Sequence, residues 1–265
     1  MTDFTSRQSS TRDYLTEVAA GRVPGASSGF IVGLNRDVGA TNSESVTDHG
    51  GNYTYLTANT QLYVSSSSAS DTDVDITLVG LDEDYAPITL TANTNGQSQV
   101  ALSAATAFRV YVVSVSGSTS PVGDLYIAET DTLTSGVPDT ATKIKAKIPL
   151  TVDMAGAPMN TGTAYASDNI SHLGLYTVPA GKRMAVYTII SSTEKNDNLR
   201  LTGRLRPFGG VWLSRNPVPV YQNNVKIRFE PPIMIPEKAD LEFRALAGSA
   251  GGESQVQTFF VLEDL

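Results

Sequence analysis

The sequence predicts an all-β protein, built as tandem β-sandwich or jelly-roll-like domains that follow a short N-terminal helical arm. Apolar and polar residues alternate with period two through most of the chain after Phe30, which is typical of half-buried strands. These segments are short and are joined by Gly, Ser, Asn and Asp, which are the residues of tight turns. About seven or eight such strands in each half suit a sandwich or jelly roll. A single large intertwined sandwich is the alternative.

The arm comprises residues 1–29 and contains the one convincing helical run, DYLTEVAA. Tyr14, Leu15 and Val18 can share one helical face, and a glycine ends the run. One apolar helical face needs a surface to bury against, either this chain's own body or a neighbouring subunit. We expect the arm to dock on a neighbour.

The first β-domain is predicted to span residues 30–141. Val74, Ile76 and Leu78 alternate with polar residues, and the run FRVYVVSV is apolar on both faces, which indicates a central strand. A polar loop, TDTLTSGVPDTA, closes this domain. The strands are expected near residues 30–34, 53–56, 60–66, 73–80, 86–92, 98–102, 107–115 and 123–129.

The second domain is predicted to span residues 142–265. Its first strand alternates strictly, with apolar residues on one face and Lys143, Lys145 and Lys147 on the other. A row of outward lysines protects an edge strand from pairing with another chain, and it also offers a basic contact surface. Further strands are expected near residues 172–178, 183–192, 198–206, 211–214, 224–230, 240–246 and 255–263.

A second basic face is predicted in the run LRLTGRLR. Arg200, Arg204 and Arg206 lie on one side of this strand and leucines on the other. Three guanidinium groups in a row can pair with carboxylates bidentately across a protein contact. They can also meet phosphates, or simply form a solvated face.

The charge is unevenly distributed between the halves. The chain has a net charge of −8, but residues 1–142 hold 5 Lys and Arg against 16 Asp and Glu, whereas residues 143–265 hold 14 against 11. Such a chain is not suited to coating nucleic acid, which requires a basic excess. Two units with different neighbours are one interpretation, and charges that only solvate their own surfaces are the other.

Residues suited to catalysis or metal binding are few. The absence of cysteine excludes a thiol nucleophile and thiolate metal ligands, and neither histidine lies in a catalytic or metal-binding motif. The series Asp71, Asp73 and Asp75 begins like a calcium loop, but Ile76 stands where the sharp turn needs glycine. We therefore predict no enzymatic activity, no cofactor and no metal site. The single tryptophan, Trp212, is expected in the core or in an interface.

The chain has no apolar run long enough to span a membrane, and its polar N-terminus lacks the features of a secretory signal. We expect no membrane association and synthesis in the cytoplasm.

Several motifs occur together in a characteristic order. They are NRDVGATNSESVTDHGGNYTYL, SSASD followed by GLDEDY, YTVPAGK, and PEK before Asp240. As a set they resemble a family of structural proteins of tailed bacteriophages, over about residues 30–128 and 172–263. The resemblance implies a virion component and no enzymatic residue.

Together these features predict a capsid decoration or cement protein, made in the host cytoplasm, that binds the major capsid protein or other virion proteins. Many modest contacts suffice for such a role. We expect a homo-oligomer, with a trimer as the first choice, and no nucleic-acid partner. The candidate contact residues are those of the arm and of the two basic faces. A tail, neck or fibre protein that recognises a host glycan is the alternative, and a tail-associated glycan hydrolase is a third.

Overall fold

A computed structural model of the chain describes residues 14–152, 165–166, 169–193, 198–221, 224–249 and 251–265. It begins with a helix, α1 (Tyr14–Ala19). The strands of the first half are β1 (Ala26–Val38), β2 (Glu44–Ser45), β3 (Tyr63–Ser66), β4 (Asp75–Leu81), β5 (Pro87–Asn93), β6 (Val100–Ala101), β7 (Arg109–Val115), β8 (Leu125–Ala128), β9 (Leu133–Thr134) and β10 (Val137–Pro138). Those of the second half are β11 (Ile144–Ile148), β12 (Thr151–Val152), β13 (Tyr165–Ala166), β14 (Leu175–Thr177), β15 (Lys182–Ser192), β16 (Asn198–Arg206), β17 (Leu213–Tyr221), β18 (Asn224–Ile235), β19 (Asp240–Ala247) and β20 (Gly252–Asp264).

The all-β class and the short N-terminal helix are confirmed, with 56% strand and 4% helix. Four sheets of three to five strands dominate the part of the chain that the structure describes. Sheet I has the order β1-β20-β15-β18, and sheet II has the order β14-β19-β16-β17 with β2 added beside β19. Sheet III is β11-β8-β3-β6, and sheet IV is β5-β4-β7. The sheets are arranged like the four blades of a propeller rather than as clear jelly rolls. Neighbouring strands within a sheet are nevertheless mostly not consecutive in the chain, as in sheet I, where β1 lies beside β20.

Two hydrophobic cores lie between these sheets. The first is formed by sheets III and IV, with buried side chains such as Leu62, Leu78 and Ile127. The second is formed by sheets I and II, with buried side chains such as Met184, Phe243 and Val256. Strand β4 buries one row of apolar side chains, as the period-two pattern predicts, whereas β8 is buried on both faces.

Strand pairing crosses the predicted domain boundary in three places, one of which is the pairing of β2 with β19 in sheet II. Strand β1 pairs antiparallel with β20, so that the start and the end of the described chain share sheet I. Strand β11 pairs with β8 in sheet III. The division into residues 1–29, 30–141 and 142–265 stays a prediction, but each predicted β-domain contributes a strand to a sheet of the other.

Most predicted strands are present, and one is not. The segment 53–56 alternates like a strand but has no strand assignment. Tyr53 and Leu56 are nevertheless buried in the first core. Apolar side chains at period two can be buried by a loop as well as by a strand, and the ladder hydrogen bonds that would distinguish the two are not visible in sequence.

Helix α1 lies against sheet I of its own chain. Val18 is buried, and the Tyr14 hydroxyl donates a hydrogen bond of 2.8 Å to Glu263 on β20. Burial, with the nearby Glu263 carboxylate, raises the pKa of Tyr14 to about 12. Gly21 follows the helix with a φ of 68°, a left-handed conformation that suits glycine at a helix end. The helix thus has an intramolecular surface, and the proposed contact with a neighbouring subunit stays a prediction.

Candidate functional site: an arginine-rich sheet face and an aromatic cleft

The alternation of β16 sorts its side chains onto the two faces of sheet II. Leu199 and Leu201 are buried in the second core, whereas Arg200, Arg204 and Arg206 lie on the opposite face. Two of these three arginines are half-buried, and Arg200 is exposed. The sequence prediction placed the three together, and the structure adds the groups that surround them.

Strand β19 supplies carboxylates to this face in register. Asp240 lies opposite Arg206 and Glu242 lies opposite Arg204. The Arg206 guanidinium donates to Asp240 at 2.6 Å, and the Arg204 guanidinium donates to Glu242 at 2.8 Å. Both carboxylates are almost completely buried. Two of the arginines that were expected to bind a partner protein therefore already have carboxylate partners within the chain.

The series of ion pairs does not continue along the strands. The next residue of β19 on this face is Arg244, which lies opposite Thr202, and Arg200 lies opposite Leu246. We call this set of residues the arginine face; it consists of Arg200, Arg204, Arg206, Asp240, Glu242 and Arg244. At one end of the face the arginines form ion pairs with carboxylates on the neighbouring strand, and we call this the paired end. At the other end the arginines have no carboxylate opposite them on that strand.

A fifth arginine reaches the paired end from the other half of the chain. Arg109, at the start of β7, donates to Asp240 at 2.9 Å and to the backbone carbonyls of Leu56 and Phe108. Its guanidinium carbon lies 3.9 Å from the centre of the Phe108 ring. Arg109 is buried, and it joins the two predicted domains through a charged contact. An arginine inside an otherwise apolar strand was the sequence signal for this role, and it was missed.

An open cleft of about 620 Å³ lies beside the paired end. We call it the aromatic cleft, because Tyr55, Tyr85, Phe208 and Trp212 line it together with cationic side chains. The guanidinium carbon of Arg206 lies 4.8 Å from the centre of the Tyr55 ring and 4.7 Å from that of Trp212. Cation–π contacts of this length hold the aromatic rings in fixed positions. Trp212 is thus at the edge of an open cleft rather than deep in a core.

A second pocket, of about 380 Å³, lies at the other end of the arginine face. We call it the arginine pocket. Arg200, Arg204 and Arg244 line it, together with the hydroxyl-bearing residues Thr41, Ser43, Thr202 and Ser214. Arg204 lines both sites, so that the aromatic cleft and the arginine pocket are neighbours on one sheet face.

The predicted row of outward lysines is wrong at Lys145. Its side chain is fully buried; its ammonium donates to two backbone carbonyls and lies 2.9 Å from Glu129. Burial lowers the pKa of Lys145. Lys143 and Lys147 remain partly exposed, but they pair with Asp131 and Asp124 within the chain. The pairing of β11 with β8 shifts register between Ile144 and Ala146, so the alternation is interrupted at Lys145, and the Thr54 carbonyl from another segment accepts a hydrogen bond from it.

The remaining candidate groups have structural partners. His172 lies 2.9 Å from Asp48, and partial burial, together with the nearby Lys145, lowers the pKa of His49 to about 4. Asp71 accepts hydrogen bonds from the backbone amides of Val122 and Gly123, so this carboxylate closes a loop. Within the described ranges, no group of three or more His, Asp and Glu residues is placed to hold a metal ion. No helix in that part of the chain is long and apolar enough to cross a membrane.

No protein-family profile and no curated protein sequence matches the chain. Among solved structures, the chain has a faint similarity to the VP2 subviral particle of infectious bursal disease virus, at 11% identity and a TM-score of 0.20. That alignment covers 92% of this chain and 77% of the viral one. A similarity of this size supports no statement about fold or function.

Proposed function

We propose that the chain is a non-enzymatic structural protein of a tailed-phage virion, and that it acts as a homo-oligomeric capsid decoration or cement protein. In this proposal the two cores belong to tandem sandwich-like units, and the oligomer is a trimer. The set of phage-like sequence motifs supports the virion assignment, and one feature of the molecular surface supports the role in assembly.

The observation that carries the proposal is an exposed aromatic pair on sheet I. Phe30 on β1 and Phe259 on β20 are direct cross-strand partners, and they are 70% and 46% exposed. Their row continues across the sheet through Thr188 and Arg228, so the pair lies on the face away from the second core. Two large apolar rings side by side in water are typical of a protein contact surface.

The surroundings of this pair extend the apolar surface. Strand β1 is an edge strand of sheet I, and an edge offers unpaired backbone groups to a neighbouring chain. Beside it lies a groove of about 520 Å³, lined by Phe30, Ile170, Tyr111 and Tyr176 among others. A second copy of the chain that buried the aromatic pair and this groove would form the oligomer contact.

The virion assignment is tested by quantitative mass spectrometry of purified phage particles that encode the chain. Hundreds of copies per particle are expected for a protein that decorates a capsid lattice. About a dozen copies would place the chain at the neck or tail instead. A complete absence from purified particles would refute the virion assignment.

The oligomer contact is tested separately by light scattering of the purified chain. The wild type is expected at three times the chain mass of 28.1 kDa. The double variant Phe30→Ser/Phe259→Ser is expected to be monomeric and folded. Val211→Ser is the matched control, because Val211 is also an exposed apolar side chain, at 74%, but lies in the β16–β17 turn. A wild-type monomer, or an unchanged mass in the double variant, would contradict the proposed contact.

A tail protein that recognises a host glycan is the second candidate function, and the aromatic cleft favours it. Sugar rings stack on aromatic side chains that are held rigidly at an open surface, and Trp212 and Tyr55 meet this requirement in an open cleft. Glycan-array binding that is lost in Trp212→Ala and kept in Val211→Ser would support it. An array without hits for the wild type would remove this candidate.

A further inference from the structure

The arginine pocket has more cationic groups than the chain neutralises. Across β16 and β19, Arg204 has Glu242 as its partner, whereas Arg200 and Arg244 face Leu246 and Thr202. Diagonal neighbours on a sheet face lie roughly 7–8 Å apart, which is within reach of long side chains. The three guanidinium groups therefore converge on one pocket with a single cross-strand carboxylate among them.

Two donor groups of the pocket have no acceptor. The Nε–H groups of Arg204 and Arg244 are buried and have no hydrogen-bond partner among the described residues. The other end of the Arg244 guanidinium is held by the Ser43 carbonyl and by the Asn52 side chain, which fixes its position. A buried donor without an acceptor is unfavourable, so the hydrogen-bonding capacity of these two guanidinium groups is not fully used within the described chain.

The pocket also has neutral donors. Thr41, Ser43, Thr202 and Ser214 carry hydroxyl groups, and all four residues line it. A carboxylate has two oxygens, which a single guanidinium fork already occupies. Three guanidinium groups together with hydroxyl groups offer more donors than the two oxygens of a carboxylate accept.

We propose that the arginine pocket binds a tetrahedral oxyanion, namely a phosphate or sulfate group, either free or as an ester on a larger molecule. Such a group carries up to two negative charges and three or four oxygens, and it therefore suits a pocket with several donors and an excess of positive charge. Planar guanidinium groups are the preferred side chains for this recognition. The site is independent of the oligomer contact on sheet I.

The electrostatics of the pocket agree with this assignment. Burial and the neighbouring Arg204 lower the pKa of Arg244, although Glu242 and Glu44 act in the opposite direction. These two arginines therefore repel each other. A doubly charged anion between them would replace that repulsion by two attractive contacts.

The test is isothermal titration calorimetry of the full chain with sodium sulfate, sodium phosphate and sodium acetate at matched ionic strength. Sulfate and phosphate are expected to bind at one site, and acetate at least tenfold more weakly. The informative variant is Arg200→Gln, because Arg200 is exposed and lies opposite Leu246 rather than a carboxylate, so its replacement should leave the fold intact. This variant should bind sulfate and phosphate at least tenfold more weakly than the wild type.

The matched control is Arg228→Gln, which removes an exposed arginine of sheet I that does not line the pocket. It is expected to bind like the wild type. Equal affinities for acetate and sulfate would overturn the tetrahedral assignment. Equal affinities of wild type and Arg200→Gln, or heats no larger than with sodium chloride, would overturn the site.

The source of the oxyanion is distinguished by two esters of the same sugar, glucose 6-phosphate and glucose 6-sulfate. Tighter binding of one ester identifies the group as phosphate or sulfate on a larger molecule. Binding of the inorganic ions alone identifies a site for a free ion. Both results support the pocket, whereas equal binding of unmodified glucose would contradict it.

Discussion

The buried contact between Arg109 and Asp240 should be the largest single electrostatic contribution to the coupling of the two halves. The side chains are only 6% and 4% exposed, and the Arg109 Nε lies 2.9 Å from the carboxylate. Removing one partner of a buried ion pair typically costs about 3–5 kcal/mol, because the other charge stays buried. Asp240 keeps Arg206 and the Thr177 hydroxyl as donors. This remaining partnership places the cost of losing the ion pair at the lower end, about 3 kcal/mol for Arg109→Ala.

The cost has a second source in the backbone. Arg109 also donates to the carbonyls of Leu56 and Phe108, and these acceptors lose a charged donor in the variant. Each hydrogen bond to a charged group contributes roughly 1.5–3 kcal/mol to stability. These contributions are not additive with the ion pair, since one guanidinium makes all of them. We therefore expect a total loss of about 3–5 kcal/mol.

The assay is urea denaturation, followed both by far-ultraviolet circular dichroism and by fluorescence of the single tryptophan. Trp212 lies beside Tyr55 at the junction of the halves, so its emission reports on that region. The control is Arg228→Ala, whose partner is Glu230 and whose side chain is 68% exposed; it should cost less than about 1 kcal/mol. A midpoint shift for Arg109→Ala no larger than that of the control would refute the reasoning.

Three further perturbations follow from particular contacts. The pKa of His49 falls from 6.5 to about 4 on folding, so the free energy of unfolding should rise as the pH rises between these values. His49→Gln should remove up to about 3 kcal/mol of the difference between the unfolding free energies measured by denaturation at pH 4.5 and at pH 7. Gly33→Ala would place a methyl group 2.5 Å from a backbone carbon and should lower the melting temperature, whereas Gly203→Ala, at 3.5 Å from a side chain, should change it little. Asp71→Ala should lower the melting temperature, whereas Asp73→Ala, at an exposed position, should leave it unchanged. Added calcium should change the melting temperature of neither variant. Equal shifts in the two variants would contradict the loop-closing role of Asp71.

Local periodicity predicted the faces of the strands well, because side-chain direction alternates along any strand whatever its neighbours are. The arginine face is the clearest case: Arg200, Arg204 and Arg206 lie on one side as the alternation requires. The run DLEFRA of β19 contained the same kind of signal, since Asp240 and Glu242 alternate with buried Leu241 and Phe243. That acidic row was visible in the sequence and was not used.

Pairing partners could not be predicted, because they depend on which distant strands meet. The contact between β1 and β20 joins residues more than 200 positions apart in the chain. The burial of Lys145 depends on the Thr54 carbonyl, which comes from a separate loop. Alternation alone placed this lysine outward. The register between β16 and β19, which pairs Arg204 with Glu242, is a third property that no local pattern contains.

The charge imbalance of the arginine face depends on the junction between the two halves. Asp240 accepts hydrogen bonds from Arg109 of the first half as well as from Arg206 of β16. The carboxylate at one end is therefore shared between two arginines, and no further carboxylate lies opposite Arg244 or Arg200. Had Arg109 been apolar, the paired end would carry one positive charge less, and the whole face would attract anions less strongly at long range. The buried Arg109 thus also raises the positive potential at the arginine pocket. We therefore expect Arg109→Ala to weaken sulfate binding, but by less than Arg200→Gln does.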